Sequence, residues 1–272
     1  MKYTMNYSII IDIGANIGEF SLQVANRNPG IKVYAIEPEP TLFSNLTKAT
    51  KSLGLLNHIP CDFAVSDKNG YSDFFVSHHG DWGTSSLLQL NSNHIQYDDY
   101  WSTRTDIAHS EIIRVETKRL DSFLENIKFQ EIKFIKIDAQ GFDLIALNSL
   151  GINLKKVQAG MIEVVGTANN CLYLNEKNDL RFALNYLFNN DFNVYAIKPN
   201  DNGAKEFNVF FHRNDVDIKS IENELNLEGL INYDGKNFWH YPSQKLEDID
   251  FLIHSLKTEI HSLKTEIHKK NS

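Results

Sequence analysis

Asp12, Gly14, Asn16 and Gly18 follow a run of apolar residues, in the order Ile9-Ile10-Ile11-Asp12-Ile13-Gly14-Ala15-Asn16-Ile17-Gly18-Glu19-Phe20. An apolar run, a glycine turn and an amphipathic segment are the pattern of a buried strand feeding a helix N-terminus. That is a cradle for nucleotide-like ligands. The residue types depart from a dinucleotide site, where a central glycine lets the backbone meet a pyrophosphate. Here Asn16 occupies the middle of the loop and an acid precedes it. A carboxylate at Asp12 repels phosphate and attracts an ammonium. S-adenosylmethionine (SAM) has an α-amino group, a sulfonium and no phosphate, so it fits this chemistry better. Gly14, Ala15, Asn16, Gly18 and Phe20 would form its cradle.

Further polar residues stand at the ends of later apolar runs. Glu37, followed by Pro38, comes about twenty residues after Gly18, the spacing at which an acid bonds the two hydroxyls of an adenosine ribose. In Cys61-Asp62-Phe63-Ala64, Asp62 is placed to accept from the adenine amino group while Phe63 or Ala64 lines the ring; capping of the following turn is the alternative. Lys136-Ile137-Asp138-Ala139-Gln140-Gly141-Phe142-Asp143 ends another run, at a strand edge where open α/β sheets bind ligands. Asp138 is expected at the cofactor amino group or the acceptor hydroxyl, Gln140 at the substrate, and Lys136 in a buried ion pair. Glu163 is a charge inside the apolar run Met161-Ile162-Glu163-Val164, and such a charge needs a partner or a role. Asp138 and Glu163 are the candidate bases, with His79 and His109 as loop-borne outsiders.

The elements that must position these groups alternate between strand and helix patterns. Strands are read over residues 9–13, 32–36, 59–65, 71–77, 112–117, 132–137, 157–165, 193–197 and 207–212. Helices are read over 17–26, 41–53, 120–126, 142–150 and 179–189. The succession implies an α/β fold with a mostly parallel sheet covered on both faces, closed by a late antiparallel strand. Between 77 and 106 a polar stretch rich in His and aromatics reads as an acceptor-binding lid, with His79, Thr84, Ser85 and Ser86 as substrate contacts.

Three segments follow: a sheet domain over residues 1–213, a helical and aromatic extension over 214–245, and a heptad tail over 246–270. The heptad His-Ser-Leu-Lys-Thr-Glu-Ile occurs twice without change, from His254 and from His261. Leu246, Ile253, Ile260 and Ile267 take the a position, and Ile249, Leu256 and Leu263 take d. Isoleucine at a and leucine at d favour a parallel two-stranded coiled coil, hence a homodimer.

Composition bounds the partners. A net charge of −8 and the absence of a visible basic cluster argue against a long phosphate backbone, so no nucleic acid is expected. Two widely spaced cysteines fit a reducing cytoplasm and give no zinc spacing, and no metal site is read. Apolar runs of five or six residues are too short to span a membrane.

Taken in order, these blocks resemble the FkbM-type methyltransferases. The residues carrying the resemblance are Ile-Asp-Ile-Gly-Ala-Asn-Ile-Gly-Glu-Phe, Ala-Ile-Glu-Pro-Glu-Pro, Ala-Val-Ser-Asp-Lys-Asn-Gly, Gly83-Thr84-Ser85-Ser86-Leu87, Val115-Glu116-Thr117-Lys118-Arg119-Leu120-Asp121-Ser122-Phe123 and Ile-Lys-Ile-Asp-Ala-Gln-Gly-Phe-Asp. They run from residue 9 to about residue 213. The resemblance implies a class I, Rossmann-like methyltransferase with a seven-stranded sheet. It also implies SAM-dependent O-methylation, often of sugar hydroxyls in surface glycans or of natural products. Gln140 stands where many relatives carry Glu, so no base is expected there. An RNA or protein methyltransferase is one competing reading. Another is an inactive assembly protein working through its coiled coil, and the tail is also a candidate for docking to a glycan-assembly partner.

Overall fold

The computed structural model describes residues 7–167, 171–174, 176, 179–201 and 203–230. Its strands are β1 (Ser8–Ile13), β2 (Lys32–Ile36), β3 (His58–Cys61), β4 (Ala64–Val65), β5 (Gly70–Val76), β6 (Glu111–Lys118), β7 (Glu131–Ile137), β8 (Ala159–Val165), β9 (Phe192–Pro199) and β10 (Glu206–Arg213). The helices are α1 (Glu19–Arg27), α2 (Pro40–Ser52), α3 (Ser92–Tyr97), α4 (Leu120–Leu124), α5 (Asp143–Asn148), α6 (Leu180–Asn189) and α7 (Ile218–Leu225).

Seven strands form one sheet in the order β3-β2-β1-β7-β8-β10-β9. The strands from β3 to β8 pair in parallel, and β10 runs antiparallel to both β8 and β9. This is the expected α/β sheet with its late antiparallel strand. β1 and β8 are buried along nearly their whole length, as befits strands covered on both faces. One face packs on α4, α5 and α6, through Leu120, Leu124, Ala146, Leu147, Ala183 and Leu187. The other packs on α1 and α7, and α2 adds Leu46 against Ala35 on that side.

Two strand readings are corrected. Residues 59–65 do not form one strand: β3 ends at Cys61, and Ala64–Val65 turn away to pair with β6. Residues 112–117 leave the main alternation, because β4-β6-β5 is a separate three-stranded sheet. The physical reason is one-sided burial. Along β5 and β6, Phe74, Val76 and Val115 are buried, whereas Tyr71 and Ile112 are exposed. A strand with one wet face suits a small outer sheet rather than the middle of a covered one.

The core also runs past Arg213. Ile218, Ile221 and Leu225 of α7, with Leu227 and Leu230, pack against Ile10, Phe134, Met161 and Phe210. Residues 231–245 and the heptad tail over 246–270 lie outside the described residues.

Candidate active site

The strand order reverses between β1 and β7, so the connections leaving their C-terminal ends diverge and open a crevice. Gly14 occupies the left-handed region with φ +71°, and a Cβ there would lie 1.9 Å from the Asp138 carbonyl oxygen. Only glycine permits that approach. Asn16 at φ +50° and Gly18 at φ +91° complete the turn before α1. The amides of Gly14 and Ala15 donate to the Ile36 carbonyl at 3.0 Å each. Glu37 secures the other side of the loop, its Oε2 accepting from Asn16 N at 2.8 Å and its Oε1 from Glu39 N at 2.9 Å. Glu37 is buried, and burial pushes its carboxyl up to about 7. Glu39 in turn caps α2, accepting from Leu42 N at 2.6 Å.

Alternation along the strands carries polar groups to the same face as the α1/α7 core. Asp12, Lys136, Glu163 and Asn208 stand two residues from Ile10, Phe134, Met161 and Phe210. Asp12 is 1% exposed, neither of its oxygens has a hydrogen-bond partner among the described residues, and Lys136 Nζ lies 3.6 Å away. Burial raises the Asp12 carboxyl, and the Lys136 ammonium opposes that rise. The same ammonium lies 3.2 Å from Asp138 Oδ2. Asp138 and Asp12 together hold Lys136 protonated against its burial.

Gln140 joins the two candidate bases. Its Nε2 donates to Asp138 Oδ1 at 2.9 Å and to Glu163 Oε1 at 3.0 Å, while its Oε1 accepts from the buried Tyr173 hydroxyl at 2.6 Å. The carboxylates on the other side fix which way the amide points, and the Thr84 carbonyl lies 3.0 Å from the same hydroxyl. Asn200 Nδ2 donates to Glu163 Oε2. Burial, with Asp138 and Glu206 nearby, drives the Glu163 carboxyl well above the usual range.

These groups line a cleft of about 1170 Å³ that runs from Asp12 and Asn16 past Lys136 and Asp138 to Lys198, Asn200 and Asn208. A smaller slot of about 80 Å³ opens beside Glu37, Phe63 and Trp82.

Residues 12–194 match the Methyltransferase FkbM domain. The chain belongs to the FkbM methyltransferase family. It is 30% identical over 138 residues to the 2-O-methyltransferase NoeI of Sinorhizobium fredii, a match covering 49% of this chain and 53% of NoeI. It is 24% identical over 153 residues to Methyltransferase 1 of Beauveria bassiana, covering 53% and 58%. The chain thus spans about half the length of these two curated relatives. The structure of M. capricolum TrmK with S-adenosyl-homocysteine aligns at a TM-score of 0.40 and 11% identity, over 80% of this chain and 70% of that one.

In this member of the FkbM methyltransferase family, ten of the twelve expected cofactor residues line the cleft or the slot. Asp12, Ala15 and Phe20 line the cleft; Pro38, Glu37, Phe63 and Ala64 line the slot; Gly14, Asn16 and Asp138 line both. Gly18 lines neither, its α-carbon facing Leu22 and Leu46. Asp62 is exposed and lines neither. Of the expected substrate contacts, His79, Thr84 and Gln140 line the cleft, whereas Ser85 lines the slot beside Trp82 and Gly83. Ser86 is buried, its Oγ donating to the Gln140 carbonyl at 2.6 Å and accepting from Leu88 N at 2.9 Å, so it shapes the Gln140 turn from behind. His109 is occupied structurally, with Nε2 3.1 Å from the Thr84 carbonyl and Nδ1 accepting from Leu90 N. Burial lowers its pKa, so it stays neutral.

Sequence reasoning missed Tyr173 and Asn200, which lie in or beside irregular segments that no local period marks, and Asn208, which reads as an ordinary amide within the 207–212 strand. Among the described residues no helix is long and apolar enough to cross a membrane, and no group of His, Cys, Asp and Glu could hold a metal ion.

Proposed function

We propose that this protein is a SAM-dependent O-methyltransferase acting on a hydroxyl of a sugar, in a surface glycan or a related natural product. The observation that carries the reading is Asp12, a buried acid whose nearest aids are the Lys136 ammonium at 3.6 Å and the Ser21 hydroxyl and whose oxygens make no direct hydrogen bond among the described residues, set beside a glycine loop with Glu37 at the end of the next strand. A buried carboxylate in that state is costly, and an ammonium donor relieves it. The residues fit the cofactor: Asp12 for the amino group, Glu37 for the ribose hydroxyls, and Phe63, Ala64 and Pro38 for the ring. Bound there, the cofactor supplies a methyl group activated by a sulfonium.

The protein's contribution is placement and proton removal. Asp138 is the base. The Lys136 ammonium lies 3.2 Å from one of its oxygens, and the Gln140 amide fixes the other. It takes the acceptor's hydroxyl proton as the oxygen–carbon bond forms, and holding that oxygen in line supplies most of the acceleration. Glu163, raised by burial and gripped by the Gln140 and Asn200 amides, positions the acceptor. The relative named 2-O-methyltransferase supports oxygen as the methylated atom. We read the heptad tail as joining two copies and the enzyme as working in the cytoplasm.

Calorimetric titration with S-adenosylhomocysteine, followed by methyl transfer to a panel of methyl glycosides, tests the reading. Binding and transfer are expected, with transfer lost in Asp138→Asn. No binding at millimolar ligand refutes the cofactor, and full activity in Asp138→Asn refutes the base.

A further inference from the structure

Glu206 is a second buried acid in the cleft, and neither cofactor binding nor proton removal uses it. It opens β10 and lines the cleft, yet it is only 8% exposed. Its amide donates to Asp201 Oδ2 at 2.8 Å, which fixes the backbone. Its carboxylate makes no hydrogen bond and no ion pair among the described residues. Alternation along β10 puts Glu206 on the same face as Phe210; α7 packs on Phe210 at one end of that face, and Glu206 stands at the other. Register sets Asn208 opposite Glu163 and Glu206 opposite Val165. Glu163 and Glu206 are therefore diagonal neighbours on one face, a spacing that long side chains bridge.

The charges that bear most on Glu206 are Glu176, Asp201, Asp138 and Asp143, all of them acids. With burial they drive its carboxyl well above the usual range, and Glu206 acts in the same sense on Glu163. The cations of this region are engaged elsewhere. Lys136 is held by Asp12 and Asp138, Arg104 by Asp81 and Asp106, and Lys205 by Asp98 and Asp99. The Lys198 ammonium lies 4.6 Å from the Phe210 ring centroid and is drawn by Glu222. Glu163 is gripped by two amides, Gln140 and Asn200, which bring donors but no charge. Folding thus gathers carboxylates at this end of the cleft without a matching cation, an arrangement that a cationic ligand relieves.

We propose that the Glu163–Glu206 end of the cleft is an ammonium subsite, and that the acceptor carries a protonated amino group close to the hydroxyl it offers for methylation. The proposal rests on the O-methyltransferase reading. Asp12 serves the cofactor's ammonium at one end of the cleft, and Glu206 serves the acceptor's at the other. An ammonium has three donors, so it bonds the open Glu206 carboxylate and a remaining lone pair of Glu163 together. Gln140 spans Asp138 and Glu163, which keeps an amine held there near the hydroxyl that Asp138 serves. A metal ion is a poorer match, because no acids among the described residues converge to hold one. A phosphate or carboxylate on the acceptor would meet charge of its own sign.

Saturation-transfer NMR on the full chain loaded with S-adenosylhomocysteine tests this, using methyl aminodeoxyglycosides as probes, each beside its N-acetylated form. At least one amine should bind roughly tenfold to a hundredfold tighter than its N-acetylated form, the worth of a hydrogen bond to a charged group. Glu206→Gln should abolish that preference, and Glu206→Asp should keep part of it. The S-adenosylhomocysteine affinity of both variants should stay within about twofold, which also shows that they fold. Equal binding of the amine and N-acetylated forms, or a preference that survives Glu206→Gln, overturns the subsite. So does displacement of the amine by magnesium or calcium chloride beyond that by sodium chloride of equal ionic strength, which would mark a metal site. S-adenosylhomocysteine binding with no response from any amine overturns the subsite alone. Failure of S-adenosylhomocysteine to bind removes the methyltransferase reading and the subsite with it.

Discussion

Lowering the pH from 8 to 6 should weaken S-adenosylhomocysteine binding about tenfold through Glu37 alone. The Glu37 carboxyl is buried, and that burial lifts it to about 7 despite two backbone amides that favour the charged form. Ribose hydroxyls donate to a carboxylate, so the ionised form is the competent one. With a pKa near 7, about ten-elevenths of the molecules are competent at pH 8 and about one-eleventh at pH 6, and apparent affinity scales with that fraction. Glu37→Gln removes the titration and replaces the charged acceptor of the ribose hydroxyls by a neutral amide, whose NH₂ also displaces the loop by facing Asn16 N or Glu39 N. That costs about 3 kcal/mol of binding, roughly a hundredfold. Calorimetry at pH 6 to 8, in two buffers of different ionisation enthalpy, reads both the affinity and the proton released. An affinity constant within twofold in the wild type, or an equal slope in Glu37→Gln, would refute the assignment. Stability without ligand should run the other way. The folded pKa exceeds the unfolded value of 4.5, so the native state keeps a proton that the unfolded chain has lost. The contribution is complete below pH 4.5 and is lost as the pH rises through about 7.

Two substitutions test the frame around the site. Gly14→Ala should lower the melting temperature by roughly 5–15 °C: the left-handed backbone costs about 1–2 kcal/mol and parting Gly14 from the Asp138 carbonyl about 1–3 more. A shift under about 2 °C by scanning fluorimetry would contradict the close approach. Arg213→Ala should cost about 3 kcal/mol in urea denaturation. Its guanidinium donates to the carbonyls of Val157, Asn190 and Leu154 and lies 4.1 Å from the Phe192 ring centroid, tying α6 to the start of β8. Arg213→Lys should recover less than half of that, because a point charge cannot serve three divergent carbonyls; an unchanged midpoint for Arg213→Ala would refute the staple.

What was legible in the sequence was what is local. The Asp12–Gly18 loop and the Glu37 spacing are set by neighbours within one strand–turn–helix unit, so their residue types speak for themselves. The break between Cys61 and Ala64 carries no turn residue beyond Asp62; the chain bends there because Ala64–Val65 have β6 to pair with, more than forty residues later. Ser86 looked like a substrate contact because it is a polar residue in a polar stretch. Its buried hydroxyl instead holds the Gln140 turn, a contact 54 residues away in sequence.

The boundary between core and site shows the same limit from another side. Each of four strands changes from apolar to polar on one face: Ile10 to Asp12, Phe134 to Lys136, Met161 to Glu163, and Phe210 to Asn208. Read singly, each change is an isolated charge or amide at the end of an apolar run, and only the first three invite a functional reading. Register turns them into a line. Asp12 lies beside Lys136, Lys136 beside Met161, and Glu163 beside Asn208, so the four polar groups cross the sheet while α7 covers the apolar half. Asn208 belongs to that line although it sits on the one antiparallel strand, where the direction of the change is reversed in sequence. A strand inserted last and upside down therefore supplies the site with a residue that its own sequence presents as an ordinary amide near a strand's beginning.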